Sequence, residues 1–474
     1  MTTTRAGARP RVPESVLQLV LLAGPMLSMI DSSVVNVAVP VIVTDLHTTL
    51  ATAAWALSGY LLGLACGLAA SPWLARRFGT MPAYTAALAG FVLASAACAV
   101  VPSVGLLIAG RVVQGLLGAP MVPLAMGLLL GRGGAAKTMP PSAGIMLFAA
   151  PALGPALGGL LIGAFGWRSV FLINLPVGLA ALAGLRLLRR ARGGPPGDRS
   201  ARLDVPGLAL LSAGLGLATY GASQGPGHGW LSAAAAPAWL GGLALTGGYL
   251  LWYRVRPGHA TPAVNLSVLG APRRALTLAL ACVASVVLFS VLFLAPVYLQ
   301  DIQHHTAAST GLALLPQGVV MGLASWLGSV LIEHGRARPA IIVASVVGGL
   351  ALLAVATLAM LLLGPSTPVW ASATLFCGRG VALGLTVQPL VMELVGDLPA
   401  DKLPDANTLF SITERLSGSF GIALLATYYA QRVRITGLPI AAFHDCAALL
   451  AAAAAAGALA ALGLRRGTMG TPPD

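Results

Sequence analysis

Apolar runs of about twenty residues recur along the whole chain, separated by short polar turns. A run of that length crosses a hydrocarbon core of about 30 Å as an α-helix. In lipid the backbone has to satisfy its own hydrogen bonds, so such runs fold as helices. Fourteen are expected, near 16–39, 51–73, 82–101, 104–128, 140–164, 168–188, 205–223, 236–254, 276–298, 308–332, 338–362, 367–392, 405–430 and 443–464. Only 9% of the 474 residues are charged and 57% are hydrophobic, whereas soluble domains carry about 25% charge. So little charge cannot cover a soluble fold of this size, which excludes a cytosolic enzyme. The net charge of +14 is scattered through short interhelical stretches and forms no single patch, which argues against nucleic-acid binding. Arg5, Arg9 and Arg11 precede the first apolar run as in a signal peptide. No cleavage site follows, so the run reads as a retained first helix.

The loops test this count. With fourteen helices, alternate loops fall on alternate sides. One side then collects 22 of the 28 basic residues. They include Arg5, Arg9, Arg11, Arg76, Arg77, Arg132, Lys137 and the six arginines from Arg186 to Arg202. The other side has only Arg168, Arg432 and Arg434. That bias sets the basic side, and with it both termini, in the cytoplasm. The chain is therefore expected to be a multi-pass protein of the cytoplasmic (inner) membrane.

The stretch from Arg189 to Asp204 is polar and broken by Pro and Gly, and reads as a linker. Six helices precede it and eight follow. The expected organisation is an N-terminal six-helix bundle over 1–188, a cytoplasmic linker over 189–204, two extra helices over 205–254 and a C-terminal six-helix bundle over 255–474. Leu74–Thr80 and Leu331–Pro339 are similar basic turns with glycine at the same place in each half. Such repeats belong to secondary transporters, whose substrate site lies between the halves near the midplane.

Charged and amide side chains inside the spans are the functional candidates. Asp31 lies roughly 22 Å above the inner end of its helix, at 1.5 Å per residue. Arg111 lies roughly 19–20 Å up a 30 Å core. The two are expected to pair or to share a water network. Asp31 either takes and releases a coupling proton, with Arg111 lowering its pKa, or forms a fixed brace between the first and fourth helices. Glu414 is either a second proton or cation site or a structural partner of Arg379. Asn36, Gln114, Gln317 and Gln388 are uncommon amides within spans and are expected to line a cavity, with Tyr60 either beside them or anchored at an interface. Gly154, Pro155 and Gly158 allow a kinked helix to approach a neighbour closely. The five cysteines stand singly in apolar runs and read as small buried hydrophobes. No cofactor or metal is expected, and no phosphate loop is present to drive transport with ATP.

Several stretches resemble the major facilitator superfamily, and within it the fourteen-helix drug/proton antiporters of the EmrB/QacA type. Asp31, Asn36 and Pro40 in the first helix carry that likeness. So do Arg111, Gln114 and Gly115 in the fourth, Gly154, Pro155 and Gly158 in the fifth, and Trp167–Gly178 at the start of the sixth. Leu203–Leu211 and Ser417–Leu425 are similar again. The resemblance covers the whole chain. It implies an all-α membrane protein of the major facilitator fold, and a rocking contact at Gly154, Pro155 and Gly158 that seals against proton leak. It also implies a gate at the loop after the second helix, where Arg77 and Gly79 keep the family pattern. That loop departs from the pattern at Pro72, Arg76 and Thr80. Arg76 stands where the family has an Asp that latches the gate, so another anion such as Asp204 or Glu333 is needed if the latch is kept.

The reading that follows is a proton-coupled antiporter, with no enzymatic activity, that exports hydrophobic small molecules by alternating access. Its expected partners are a small-molecule substrate, protons and the bilayer, and it is expected to be a monomer. An exporter of a lipid or siderophore on the same fold is the alternative.

Overall fold

A computed structural model describes residues 14–130, 141–191, 197–200, 202–255, 260–334, 339–396, 398–399 and 402–466. Arg5, Arg9, Arg11, Arg132, Lys137, Arg192, Arg256, Arg336 and Arg338, on which part of the orientation argument rests, lie outside these residues. The described chain is nearly all helical. Its helices are α1 (Glu14–Asp45), α2 (Leu50–Phe78), α3 (Thr80–Val100), α4 (Val104–Gly118), α5 (Met121–Leu130), α6 (Pro141–Phe165), α7 (Ser169–Leu172) and α8 (Asn174–Ala191). The strand β1 (Arg202–Leu203) precedes α9 (Val205–His228) and α10 (Ala236–Val255), and β2 (Ala260–Thr261) follows them. The rest are α11 (Pro272–Val297), α12 (Ala307–His334), α13 (Pro339–Leu358), α14 (Val369–Val395), α15 (Leu403–Thr436), α16 (Pro439–Ala461) and the short α17 (Gly463–Arg466).

Helix occupies every one of the fourteen expected stretches. Among the described residues, eleven helical segments are long and apolar enough to cross a membrane. α6, α10 and α15 are not among them. For α15 the reason is its cargo of Asp405, Glu414, Arg415, Arg432 and Arg434. Prolines account for the breaks that periodicity does not foresee. Pro120 separates α4 from α5, and Pro176 lacks the N–H that would reach Leu172, where α7 ends. After Pro296, α11 continues as a π-turn over Tyr298–Ile302.

In the N-terminal half α1 packs on α6 and α8, α2 on α4, and α3 on α4 and α8. In the C-terminal half α11 packs on α15 and α16, α12 on α14, and α13 on α14 and α16. The halves meet where α6 lies on α12, α2 on α15 and α1 on α11. α9 and α10 pack mainly on one another, and α9 also rests on α15. β1 pairs in parallel with β2, Arg202 opposite Ala260, and so ties the linker to the loop after α10.

Small residues make these crossings close, since lipid supplies no hydrophobic drive between helices and backbone contact replaces it. A side chain at Gly63 would strike the backbone of Val112 and Leu116 on α4, and one at Gly115 the backbone of Tyr60 on α2. At the junction of the halves, a Cβ on Gly311 would strike the Pro155 carbonyl, and one on Gly159 the Ala307 carbonyl. Gly63→Val is therefore expected to destabilise the purified protein by about 1–3 kcal/mol through overpacking. Gly241→Ala, where a Cβ meets nothing within 4 Å, should leave thermal unfolding unchanged.

Candidate functional site

Asp31 sits in the middle of α1, 1% exposed, and Arg111 of α4 is fully buried against it. The guanidinium Nη1 donates to Asp31 Oδ2 and, at 2.7 Å, to Gln114 Oε1. Its Nε donates to the Ala56 carbonyl of α2 at 3.1 Å. The other carboxylate oxygen accepts from Gln114 Nε2 at 3.2 Å and from Asn174 Nδ2 at 2.9 Å. Asn174 also donates to Ser95 Oγ at 2.9 Å, and Ser95 donates to the Phe171 carbonyl at 2.9 Å. The Tyr60 ring lies 4.0 Å from the guanidinium carbon, and its hydroxyl bonds Ser28 Oγ at 2.9 Å. Five helices, α1, α2, α3, α4 and α8, thus converge on one ion pair.

Sequence makes this site in a simple way. Arg111 and Gln114 are three apart on α4 and share a face, so one turn of helix presents a cation and an amide to the same carboxylate. Gly115, one residue on, brings α4 against the α2 backbone and puts Tyr60 beneath the arginine. An ion pair buried this deep is held only where the remaining donors and acceptors are satisfied. Asp31 meets that condition with three donors. Arg111 falls short by one nitrogen, Nη2, which has no partner.

The expected pairing of Asp31 with Arg111 is present. Gln114 and Tyr60 are buried around Arg111 inside the N-terminal half and are not in the lining of the pocket between the halves. Asn36 and Gln317 do line it. This small pocket, about 40 Å³ in volume, is bounded by Asn36, Pro155, Leu292, Pro296, Gln317 and Met321, among others. Gln388 is half-buried on α14, outside that lining. Asp31 is not in the lining either, and it lies five residues before Asn36 on α1. Glu414 is half-buried on α15, and the proposed bridge to Arg379 is not formed. The Arg379 guanidinium bonds the Leu288 carbonyl instead, at 3.2 Å.

Gly154 and Gly158 pack on α1 at Ser33 and Val34, while Gly159 packs on α12. The motif around Pro155 therefore lies between the two halves. Gly79 joins α2 to α3 with φ 83°, a conformation that favours glycine. Arg77 beside it is half-buried. Asp204 does not replace the missing acid of this loop. It caps α9 through the Gly207 amide at 2.9 Å and accepts from Trp252 at 2.8 Å. The side chain of Glu333 lies outside the described residues. The acid that does reach the loop is Asp198 of the linker, whose amide donates to the Arg76 carbonyl at 2.8 Å. The Ser200 hydroxyl and amide hold the Asp198 carboxyl below the usual range, and Arg77 and Arg76 add to that.

Asn174, Ser95 and Asp198 are the residues that sequence reasoning missed. Asn174 carried a signal, since it is an amide at the head of an apolar run. Ser95 and Asp198 carried none.

The sequence profile of the Major Facilitator Superfamily matches residues 21–422. The chain belongs to that superfamily. It is 32% identical to the multidrug resistance protein B homolog of Mycobacterium tuberculosis over 86% of this chain and 74% of that one. It is 33% identical to the tetracenomycin C resistance and export protein of Streptomyces glaucescens, over 91% and 78%. The multidrug export protein EmrB of Escherichia coli is 27% identical over 88% and 80%. In fold, a crystal structure of the POT family transporter PepTSo superposes with a TM-score of 0.68 at 15% identity, covering 98% of this chain and 100% of that one. A D-xylose–proton symporter gives 0.63 at 16%, covering 95% and 97%.

Breaking one side of the pair leaves an uncompensated buried charge, so Arg111→Leu is expected to destabilise by about 3–5 kcal/mol. The Asp31→Leu, Arg111→Leu double variant should lose less than the sum of the singles. A double-mutant cycle on thermal or denaturant unfolding in detergent checks this; additive losses would mean that the pair is not coupled.

Proposed function

We propose that this chain is a proton-coupled antiporter that exports apolar small molecules, drugs or antibiotics among them, across the cytoplasmic membrane. The observation that carries the reading is the enclosed Asp31–Arg111 pair, in a chain whose relatives over most of its length are named as resistance and export proteins. In this reading fourteen helices span the membrane and both termini are cytoplasmic. Residues 1–188 and 255–474 form two six-helix bundles, 189–204 link them on the cytoplasmic side, and 205–254 add a helix pair beside them. The protein works as a monomer.

Asp31 is the proton site. Ionised, its carboxylate holds α1 to α4 through Arg111 and Gln114, and to α8 through Asn174. A proton on the carboxylate cancels its charge and releases the guanidinium. Arg111 keeps Gln114, the Ala56 carbonyl and the Tyr60 ring, so the cation is not stranded. The lock between α1 and α4 loosens, and α1 carries Asn36 in the pocket wall. Proton binding thereby bears on the pocket without lining it. Glu414 is the second candidate for proton or cation exchange.

The contacts between halves support an order of events. Gln300 donates to the Val37 carbonyl at 3.0 Å and Ser419 to the Ser58 carbonyl at 2.8 Å. The Ser419 bond lies at mid-helix, while the Gln300 bond, Gly159 on Ala307 and Gly311 on Pro155 lie toward the ends of the helices that the charge bias puts outside. The conformation is then closed to the outside, Pro155 and Gly159 form the surface on which the halves tilt, and Gly154 and Gly158 hold α6 to α1 beside it. Arg77 and Gly79 hold the loop on the opposite side, where the Asp198 amide ties the linker to the Arg76 carbonyl.

One proton moving down 100 mV gains about 2.3 kcal/mol, and one pH unit adds about 1.4 kcal/mol. The total of about 3.7 kcal/mol sustains a gradient of about 500-fold for a neutral substrate. Cells expressing the protein should expel ethidium, stop when an uncoupler is added, and lose at least about tenfold of the initial rate with Asp31→Asn. Uncoupler-resistant efflux would overturn proton coupling, and undiminished efflux by Asp31→Asn would move the proton site elsewhere.

A further inference from the structure

We infer that Arg379 is the cation of a carboxylate-binding subsite in the C-terminal half, filled by a carboxylate of the exported molecule as the helices around it part. The inference rests on the exporter reading above and names one substrate class within it. Arg379 is fully buried. It makes one hydrogen bond, to the Leu288 carbonyl, and its Nε and Nη1 have no partner. It enters none of the ion pairs among the described residues. A buried guanidinium with unfilled donors is costly, and its single bond to α11 leaves two nitrogens unanswered.

The internal repeat says what is missing. Pro40-Val41 and Asp45 at the end of α1 have the same spacing as Pro296-Val297 and Asp301 at the end of α11. This register puts Val287 where the first half has Asp31. Arg111 and Arg379 each follow a glycine, on α4 and α14. The second half has therefore kept a guanidinium and lacks the carboxylate that answers it in the first. One carboxylate fills two N–H donors of an arginine at once, and a carboxylate is what occupies the related place on α1.

The helix that carries Arg379 packs against the pocket wall. Gly380 lets α14 lie against α12 at Gln317 and Met321, with an added Cβ only 2.6 Å from the Gln317 carbonyl. Both residues line the pocket, and Gln317 Oε1 is itself buried and unpartnered. Leu292, one turn along α11 from Leu288, lines it as well. A small shift of α12 against α14 would open Arg379 to a molecule in the pocket. The other source of a carboxylate is Glu414 on α15, and the test separates the two.

The full-length protein in detergent is titrated with naphthoate and with neutral naphthamide, read by intrinsic tryptophan fluorescence. Naphthoate should bind wild type about tenfold or more tighter than naphthamide. Arg379→Gln should bring the two to parity, Arg379→Lys should keep part of the preference, and Glu414→Gln should leave it intact. Because the charge is uncompensated, Arg379→Gln should also unfold at the same temperature as wild type or higher. Parity in wild type, or preference surviving Arg379→Gln, overturns the subsite. So does Arg379→Gln protein that does not fold. Equal destabilisation by Arg379→Gln and Glu414→Gln, with none added in the double variant, would assign the carboxylate to Glu414 and also overturn it. Uncoupler-sensitive efflux of naphthoate from cells expressing wild type reads the exporter separately: its absence, with the naphthoate preference in detergent intact, defeats that reading and leaves carboxylate binding at Arg379 standing.

Discussion

A carboxylate and a guanidinium share this membrane interior only because each neutralises the other. Separated, either charge at mid-depth costs several kcal/mol. Together they fix the position of α1 against α4, and the amides of Gln114 and Asn174 bring in α8. The arrangement is stable in one protonation state and loosened in the other. That is the property a coupling site needs, because a proton then changes helix packing and not merely local charge.

The second constraint is backbone proximity. Gly63, Gly115, Gly159 and Gly311 stand where a neighbouring backbone leaves no room for a Cβ. Gly63 and Gly115 lie at one crossing within the N-terminal half, α2 on α4, and Gly159 and Gly311 at one crossing between the halves, α6 on α12. The first kind makes the half rigid enough to move as a body. The second lets the backbones of α6 and α12 meet directly where the halves join.

Much of this was legible in the chain. Run length located helix in fourteen stretches, because the hydrocarbon core dictates span and the cost of unpaired backbone dictates helix. Depth arithmetic brought Asp31 to Arg111, because rise per residue is nearly constant. Which way a side chain points within the bundle was not legible. Gln114 and Asn36 are both amides in apolar helices, yet one is sealed inside the N-terminal half and the other faces the pocket. Periodicity gives a face to each helix, but the partner of that face depends on how the helices are arranged. The bridge between Glu414 and Arg379 failed for the same reason: charge complementarity does not specify reach. Asp198 was hidden because its part is played through a backbone amide, which any residue supplies.

The two halves answer the same physical problem differently. The first buries a cation and compensates it from within, so it can respond to a proton with no other ligand. The second buries a cation at Arg379 and leaves two of its nitrogens unfilled. A symmetric transporter with two internal pairs would hold two protonatable locks and no charged vacancy for cargo. With Val287 where the first half has Asp31, the proposed cycle divides the labour: one half would sense the proton, and the other would offer Arg379 to a molecule from the pocket. Coupling then requires no direct contact between proton and cargo. It requires that α1, locked or released at Asp31, form a wall of the pocket whose opposite wall, α11 and α12, encloses Arg379.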